Sequence, residues 1–311
     1  MTKQFRRFLS ASIALSAAAL VSVSSAAGAD DRTHSGRSSV YGNLKNASLE
    51  ELSTPKTMLA LVQAPDKAAP TAIWTMLEHG ERVECLACVP YVSKMLYASN
   101  PKTREISAWW LRRRIFGVFG KGEAYEQTIN NLANPNATEL SRTYAANALG
   151  EFLEGAGIAP VSRALVGDAS PKVRLAAANA LIRLNNQGPN SELSTALSDE
   201  DEEVRLAALN GVTHINVFKN VDSVVAMISD PSARVRRRAA QTLGTLKTAD
   251  AVMGLIAMTS EGQEPDAGAR AAAVWALGQI ADSQALDAVL AAAGDSDSGV
   301  RDAARFASRR L

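Results

Sequence analysis

Small and apolar residues recur along this chain at fixed distances from a series of arginines. Three residues after Arg104, Arg142, Arg174, Arg205, Arg236, Arg270 and Arg301 stand Ser107, Ala145, Ala177, Ala208, Ala239, Ala273 and Ala304, all of them small. Seven residues after stand Leu111, Leu149, Leu181, Val212, Leu243 and Leu277, before the last unit breaks the rule with Ser308. Offsets of three and seven share one face of an α-helix. The small side chain admits a neighbouring helix, and the leucine one turn later fills the space between them. Gly150, Gly244 and Gly278 follow the leucines directly, where a helix is expected to stop.

The pattern also extends upstream of each arginine. Six residues before it lie Asp168, Asp199, Asp230, Glu264 and Asp295 in turn, and Pro171 and Pro231 are expected to open two of the helices. Before each acid runs a further amphipathic segment, such as 159–166, 221–228 or 285–292. Each unit therefore predicts two antiparallel helices. The arginines are 38, 32, 31, 31, 34 and 31 residues apart, a period that signals a repeat architecture. One such pair cannot cover its own apolar faces, so neighbouring pairs must stack. The prediction is an all-α solenoid of about seven stacked helix pairs over residues 70–311, with the first two units divergent.

The register resembles HEAT repeats, in particular the short HEAT-like type named after phycobilisome lyases, whose hallmark is Asp-x-x-Pro-x-Val-Arg-x-x-Ala-x-x-x-Leu. Asp168-Ala169-Ser170-Pro171-Lys172-Val173-Arg174 carries it most clearly, with Asp230 to Arg236 next. The resemblance runs from about Pro70 to the end. It implies a structural ladder between layers, built from Asp168, Arg174, Asp199, Arg205, Asp230, Arg236, Glu264, Arg270, Asp295 and Arg301. A scan for catalytic pairs would stop at these acids and arginines, but recurrence in every unit points to architecture. The Trp-Leu-Gly-Tyr and Thr-Pro-Leu-His signatures of tetratricopeptide and ankyrin repeats are missing.

The amino-terminal end follows a different pattern. Lys3, Arg6 and Arg7 precede an apolar run from Phe8 to Val23, and Ala27-Gly28-Ala29 offers small residues at a cleavage site. Residues 1–29 therefore predict a signal peptide cut after Ala29, and the protein is expected in a bacterial periplasm or cell envelope. The apolar run is shorter than the roughly 20 residues a bilayer span needs, so no stable membrane insertion is expected once it is removed. Residues 30–69 are rich in Ser, Gly, Thr, Asn and charge and predict a flexible leader. Within it, Ser48-Leu49-Glu50-Glu51 has capping-box spacing for a short helix through Leu61 that covers the first repeat.

Composition narrows the function. Lys and Arg number 33 against 32 Asp and Glu, which argues against the clustered positive charge that nucleic acid demands. Cys85 and Cys88 are the only cysteines; in an oxidising compartment they are expected to pair, with a redox dithiol or a metal site as lesser readings. Aromatic and basic residues concentrate at Trp109, Trp110, Arg112, Arg113, Arg114, Phe116 and Phe119. This segment reads either as a hydrophobic junction beneath the regular repeats or as a partner-docking patch, since Trp and Arg dominate interface hot spots. In the basic triple at 236–238, Arg236 holds the repeat register, and Arg237 and Arg238 read as a solvated face. The three histidines are scattered, and no Ser-His-Asp group, P-loop or dinucleotide fingerprint appears. No cofactor or metal is expected. The leading expectation is an exported, non-enzymatic scaffold that binds a protein or peptide partner. A chromophore-lyase-like enzyme, suggested by the resemblance, and thiol redox chemistry at Cys85 and Cys88 are the alternatives.

Overall fold

A computed structural model of the protein describes residues 54–65, 68–80, 83–115, 122–184, 190–214 and 218–311. The expected signal peptide and the capping box at Ser48 lie outside them. The described residues form sixteen α-helices. An amino-terminal pair, α1 (Pro55–Gln63) and α2 (Pro70–His79), is followed by α3 (Val89–Met95) with α4 (Pro101–Ile115) and α5 (Glu123–Ala133) with α6 (Glu139–Phe152). Next come α7 (Ile158–Gly167) with α8 (Pro171–Leu184), α9 (Asn190–Ala196) with α10 (Glu202–His214), and α11 (Val221–Ala226) with α12 (Ala233–Leu246). The last pairs are α13 (Val252–Ala257) with α14 (Ala267–Ile280) and α15 (Leu286–Ala292) with α16 (Ser298–Ala307). Each packs on the next to give an α-solenoid, and no strand occurs among the described residues.

The repeated arginines all lie on the even-numbered helices α4 to α16, the second helices of their pairs. The small row three residues on is buried throughout, from Ser107 to Ala304, and so is the Leu or Val row from Leu111 to Leu277. Helix α1 falls in the stretch read as leader, but it starts at Pro55, where the Thr54 hydroxyl accepts from the Thr57 N–H. Pro171 opens α8, whereas α12 starts at Ala233, two residues past Pro231. Pro231 stays in the loop, where its carbonyl accepts a bond from Arg236.

The glycines after the leucines do not end their helices. Gly150, Gly244 and Gly278 lie two residues inside α6, α12 and α14. A Cβ on Gly278 would sit 2.6 Å from the Ala307 Cα, and one on Gly244 2.7 Å from the Ala276 Cα. Their role is close approach of backbone to backbone. The chain turns instead at Leu153, Lys247 and Ala281, each three residues past a glycine and each left-handed, with φ of 56°, 53° and 60°. Where the equivalent position holds Ile182 or Thr213, the second helices pack less extensively, so both junctions of α10 are looser than the glycine junctions. The glycine junctions make the second-helix layer the closely spaced side, and a stack curves towards its closely spaced side. The solvent face of α6, α8, α10, α12 and α14 is thus the inner surface.

Candidate interaction surface

Each rung of the ladder joins two repeats. Arg174 donates from Nε and a terminal nitrogen to both oxygens of Asp199, at 2.7 and 2.9 Å. Arg142 does so to Asp168, Arg205 to Asp230, Arg236 to Glu264 and Arg270 to Asp295, always to the acid of the following unit. The other terminal nitrogen of Arg174 turns back to the carbonyls of Asp168 and Ala169 in its own loop. The acid is held from below as well, since Asp199 accepts the Asp201 N–H at 2.9 Å. Each guanidinium therefore ties the start of its own helix, its own loop and the next loop.

Electrostatics follow this geometry. Burial pushes the Asp168 and Glu264 carboxyls up, but the arginine and backbone N–H donors on each outweigh it and hold them below the usual range. At Asp295 the Arg270 hydrogen bond is the main influence and acts in the same direction. Arg301 donates to the carbonyls of Asp295 and Ser296 and has no carboxylate partner among the described residues. At the other end Arg104 meets no acid across its junction among the described residues, and it stacks 3.9 Å from the Tyr144 ring centroid instead.

With these charges committed to the stack, the inner surface presents another row. Five residues after each arginine stand Trp109, Asn147, Asn179, Asn210, Gln241, Trp275 and Phe306, all half-buried or exposed. The side chains of Asn147, Asn179, Asn210 and Gln241 make no hydrogen bond to the protein among the described residues. Two hollows bracket this amide row. One, of about 400 Å³, is lined by Arg104, Tyr144, Asn147, Glu151 and Arg183. There Arg183 pairs with Glu151 at 2.6 Å, yet burial pushes the Glu151 carboxyl above its ordinary value. The other, of about 560 Å³, is lined by Arg237, Arg238, Gln241, Gly268 and Trp275. Arg237 and Arg238 make no ion pair among the described residues, and the Arg238 Nε is buried without a protein partner. The row was readable from the arginine alignment at an offset of five, a position that the small and leucine rows had overshadowed.

The aromatic segment splits between two roles. Trp110 is fully buried and donates from Nε1 to the Gly80 carbonyl at 3.1 Å. Arg114, also buried, stacks 3.5 Å from the Trp110 ring centroid and donates to the carbonyls of Trp110, Gly80 and Val83. Together they fasten α4 to the loop after α2. Trp109 and Arg112 remain half-buried. The Arg113 side chain, Phe116 and Phe119 lie outside the described residues. The Cys85 and Cys88 sulfurs are at bonding distance, 1.94 Å, and both residues are buried beneath α1. No group of three or more metal-binding side chains occurs among the described residues, and none of their helices is long and apolar enough to cross a membrane.

Residues 158–219, 190–267 and 262–307 match a family model described as HEAT repeats. Among solved structures, YibA of E. coli superposes with a TM-score of 0.55 at 17% identity, over 91% of this chain and all of that one. Kap95p, which binds RanGDP, superposes with a TM-score of 0.58 at 16% identity; 85% of this chain is covered but only 40% of Kap95p. CpcE and CpcF of phycocyanin lyase from Nostoc sp. PCC7120 match at a TM-score of 0.39 and 18% identity, over 72% of this chain and 94% of that one, too loose a likeness to bear on activity. No curated protein matches the sequence.

Proposed function

Because the chain is a HEAT-repeat protein, its family model spanning residues 158–307, we propose that it is an exported, non-enzymatic scaffold that binds a protein or peptide partner on the inner surface of the solenoid. One observation carries this reading. The repeated acids and arginines are consumed in rungs between layers, while the face left to solvent offers amides, aromatic rings and two arginines that no protein group engages among the described residues. Such a surface is made for contact across several repeats, and solenoids use their inner helices in this way. Kap95p, of the same fold, binds another protein.

Export is supported by the basic, apolar and small-residue sequence of residues 1–29 and by a cysteine pair close enough to be oxidised. Burial of both sulfurs favours a structural bridge over thiol exchange, which needs an accessible thiolate. The test is fractionation of the full-length chain from its native cell with photoreactive residues at Asn179 and at the outward-facing Val166. A chain beginning at Asp30 in the envelope fraction, cross-linked to a reproducible partner from position 179 and not 166, is the expected result. Retention of residues 1–29 in a cytoplasmic chain removes the export reading. Partner cross-links from 166 alone remove the inner surface.

A further inference from the structure

We infer that the inner surface from Asn147 to Trp275 is a track for an extended acidic peptide, gripped along its main chain by the amide row and anchored through a carboxylate by Arg237 and Arg238 beside Trp275. The inference rests on the scaffold reading above and names the chemistry of the partner. Four successive repeats place a carboxamide at the same register position, 32, 31 and 31 residues apart, while the position four residues earlier varies through Thr143, Leu175, Leu206 and Arg237. Asparagine is a poor helix former, so its return at one helical position in three consecutive repeats is not accounted for by helix stability. A carboxamide carries both a donor and an acceptor and so matches the C=O and N–H of a peptide unit whatever the side chain. None of the four spends that capacity on the protein among the described residues.

The spacing also fits. Packed helices stand about 8–10 Å apart, and an extended chain advances about 3.3 Å per residue, so the peptide meets one amide roughly every three residues. Asn147 to Gln241 then spans about ten residues, and the hollow at Trp275 takes the next. Charge sets the direction. On α12, Arg234 is taken by Glu202 and Glu203 and Arg236 by Glu264, whereas Arg237 and Arg238 face the hollow unpaired among the described residues. A carboxylate there would give the buried Arg238 Nε the acceptor it lacks. Glu151 and Glu203 on the same inner helices are taken by Arg183 and Arg234. Along this track a polyphosphate chain would find only Arg237 and Arg238 unpaired among the described residues, which favours a peptide with few carboxylates over nucleic acid.

The experiment selects random twelve-residue peptides on the immobilised full-length chain and titrates the best binder by fluorescence polarisation. Acidic residues should be enriched near one end of the selected peptides. Asn179→Ala and Asn210→Ala should each weaken binding about fivefold, as expected for one lost hydrogen bond. Arg237→Ala with Arg238→Ala should weaken it about thirtyfold, with partial recovery in the double Lys variant. Alternate N-methylation of the peptide backbone should weaken binding about tenfold, while Arg234→Ala should leave it unchanged. Circular dichroism should show every variant folded. Undiminished binding by the Asn variants or by the methylated peptide overturns the inference, as does displacement by a twelve-base oligonucleotide or a selection that enriches nothing. Peptides that cross-link only to the odd-numbered helices sink this inference and leave a scaffold standing; a chain with neither selected peptides nor a native partner sinks both.

Discussion

Arg270 and Arg301 occupy the same place in neighbouring repeats and differ in what lies across from them. Arg270 is held by Asp295 and by the carbonyls of Glu264 and Pro265, and its side chain is 3% exposed. Replacing it with alanine leaves Asp295 buried without its cation and should cost about 3 kcal/mol in chemical denaturation. Arg301→Ala removes only bonds to carbonyls and should cost about 1 kcal/mol. Equal losses would show that the carboxylate adds nothing to the rung. The same pairs set an acid limit. The folded carboxyls of Asp168, Glu264 and Asp295 lie below their ordinary values of 3.8, 4.5 and 3.8, so their ionisation favours the folded state above that range. This contribution is expected to vanish as pH falls from about 4.5 downward, and Asp295→Asn should lower stability at neutral pH while flattening the acid limb of a pH–stability curve. The arginines and acids were legible in the sequence by recurrence alone. Which acid each arginine takes was not, because the partner stands in the next layer, 25 to 28 residues away.

At the scale of the helix, the fit of α14 on α16 depends on an absent side chain. Gly278→Ala would bring a methyl to 2.6 Å from the Ala307 Cα and 2.7 Å from its Cβ, and with backbone on the other side neither can yield cheaply. A loss of about 2 kcal/mol is expected. Three residues on, Ala281 is left-handed with φ of 60°, a conformation that glycine adopts freely. Ala281→Gly should therefore raise stability by roughly 0.5 kcal/mol, once the added freedom of the unfolded chain is set against the relieved strain. Thermal melts of the two variants should move in opposite directions; a downward shift for Ala281→Gly would mean that the left-handed alanine carries no strain. From sequence, glycine after the last leucine reads as a stop, because both a stop and a close approach select for a missing Cβ. Only the position of the next helix distinguishes them. The same limit applies to α4, where Trp110 and Arg114 are chemically equal candidates for a surface patch until Gly80 and Val83 are seen to claim both.

Over the whole molecule, stability is distributed repeat by repeat, each pair contacting its neighbours. The stack is closest at the glycine junctions and looser around α10, where Ile182 and Thr213 keep the second helices from the same approach. Native-state hydrogen exchange should accordingly find the amides of α9 and α10 opening at lower free energy than those of α14 and α16. Uniform protection along the stack would show that spacing does not control local opening. A chain whose small, apolar, acidic and basic positions recur every 31 to 38 residues has little choice but to form like units and pile them, so period, helix content and buried rows followed from the sequence. Local order along a helix fixes these, since residues three, four and seven apart share a face wherever the helix lies. Tertiary structure decided the rest: the layer to which each rung reaches, the closely spaced side of the stack, the inward turn of Trp110, and the alignment of Asn147, Asn179, Asn210 and Gln241 into one open row. Those are relations between repeats, and they exist only once the helices have been set side by side.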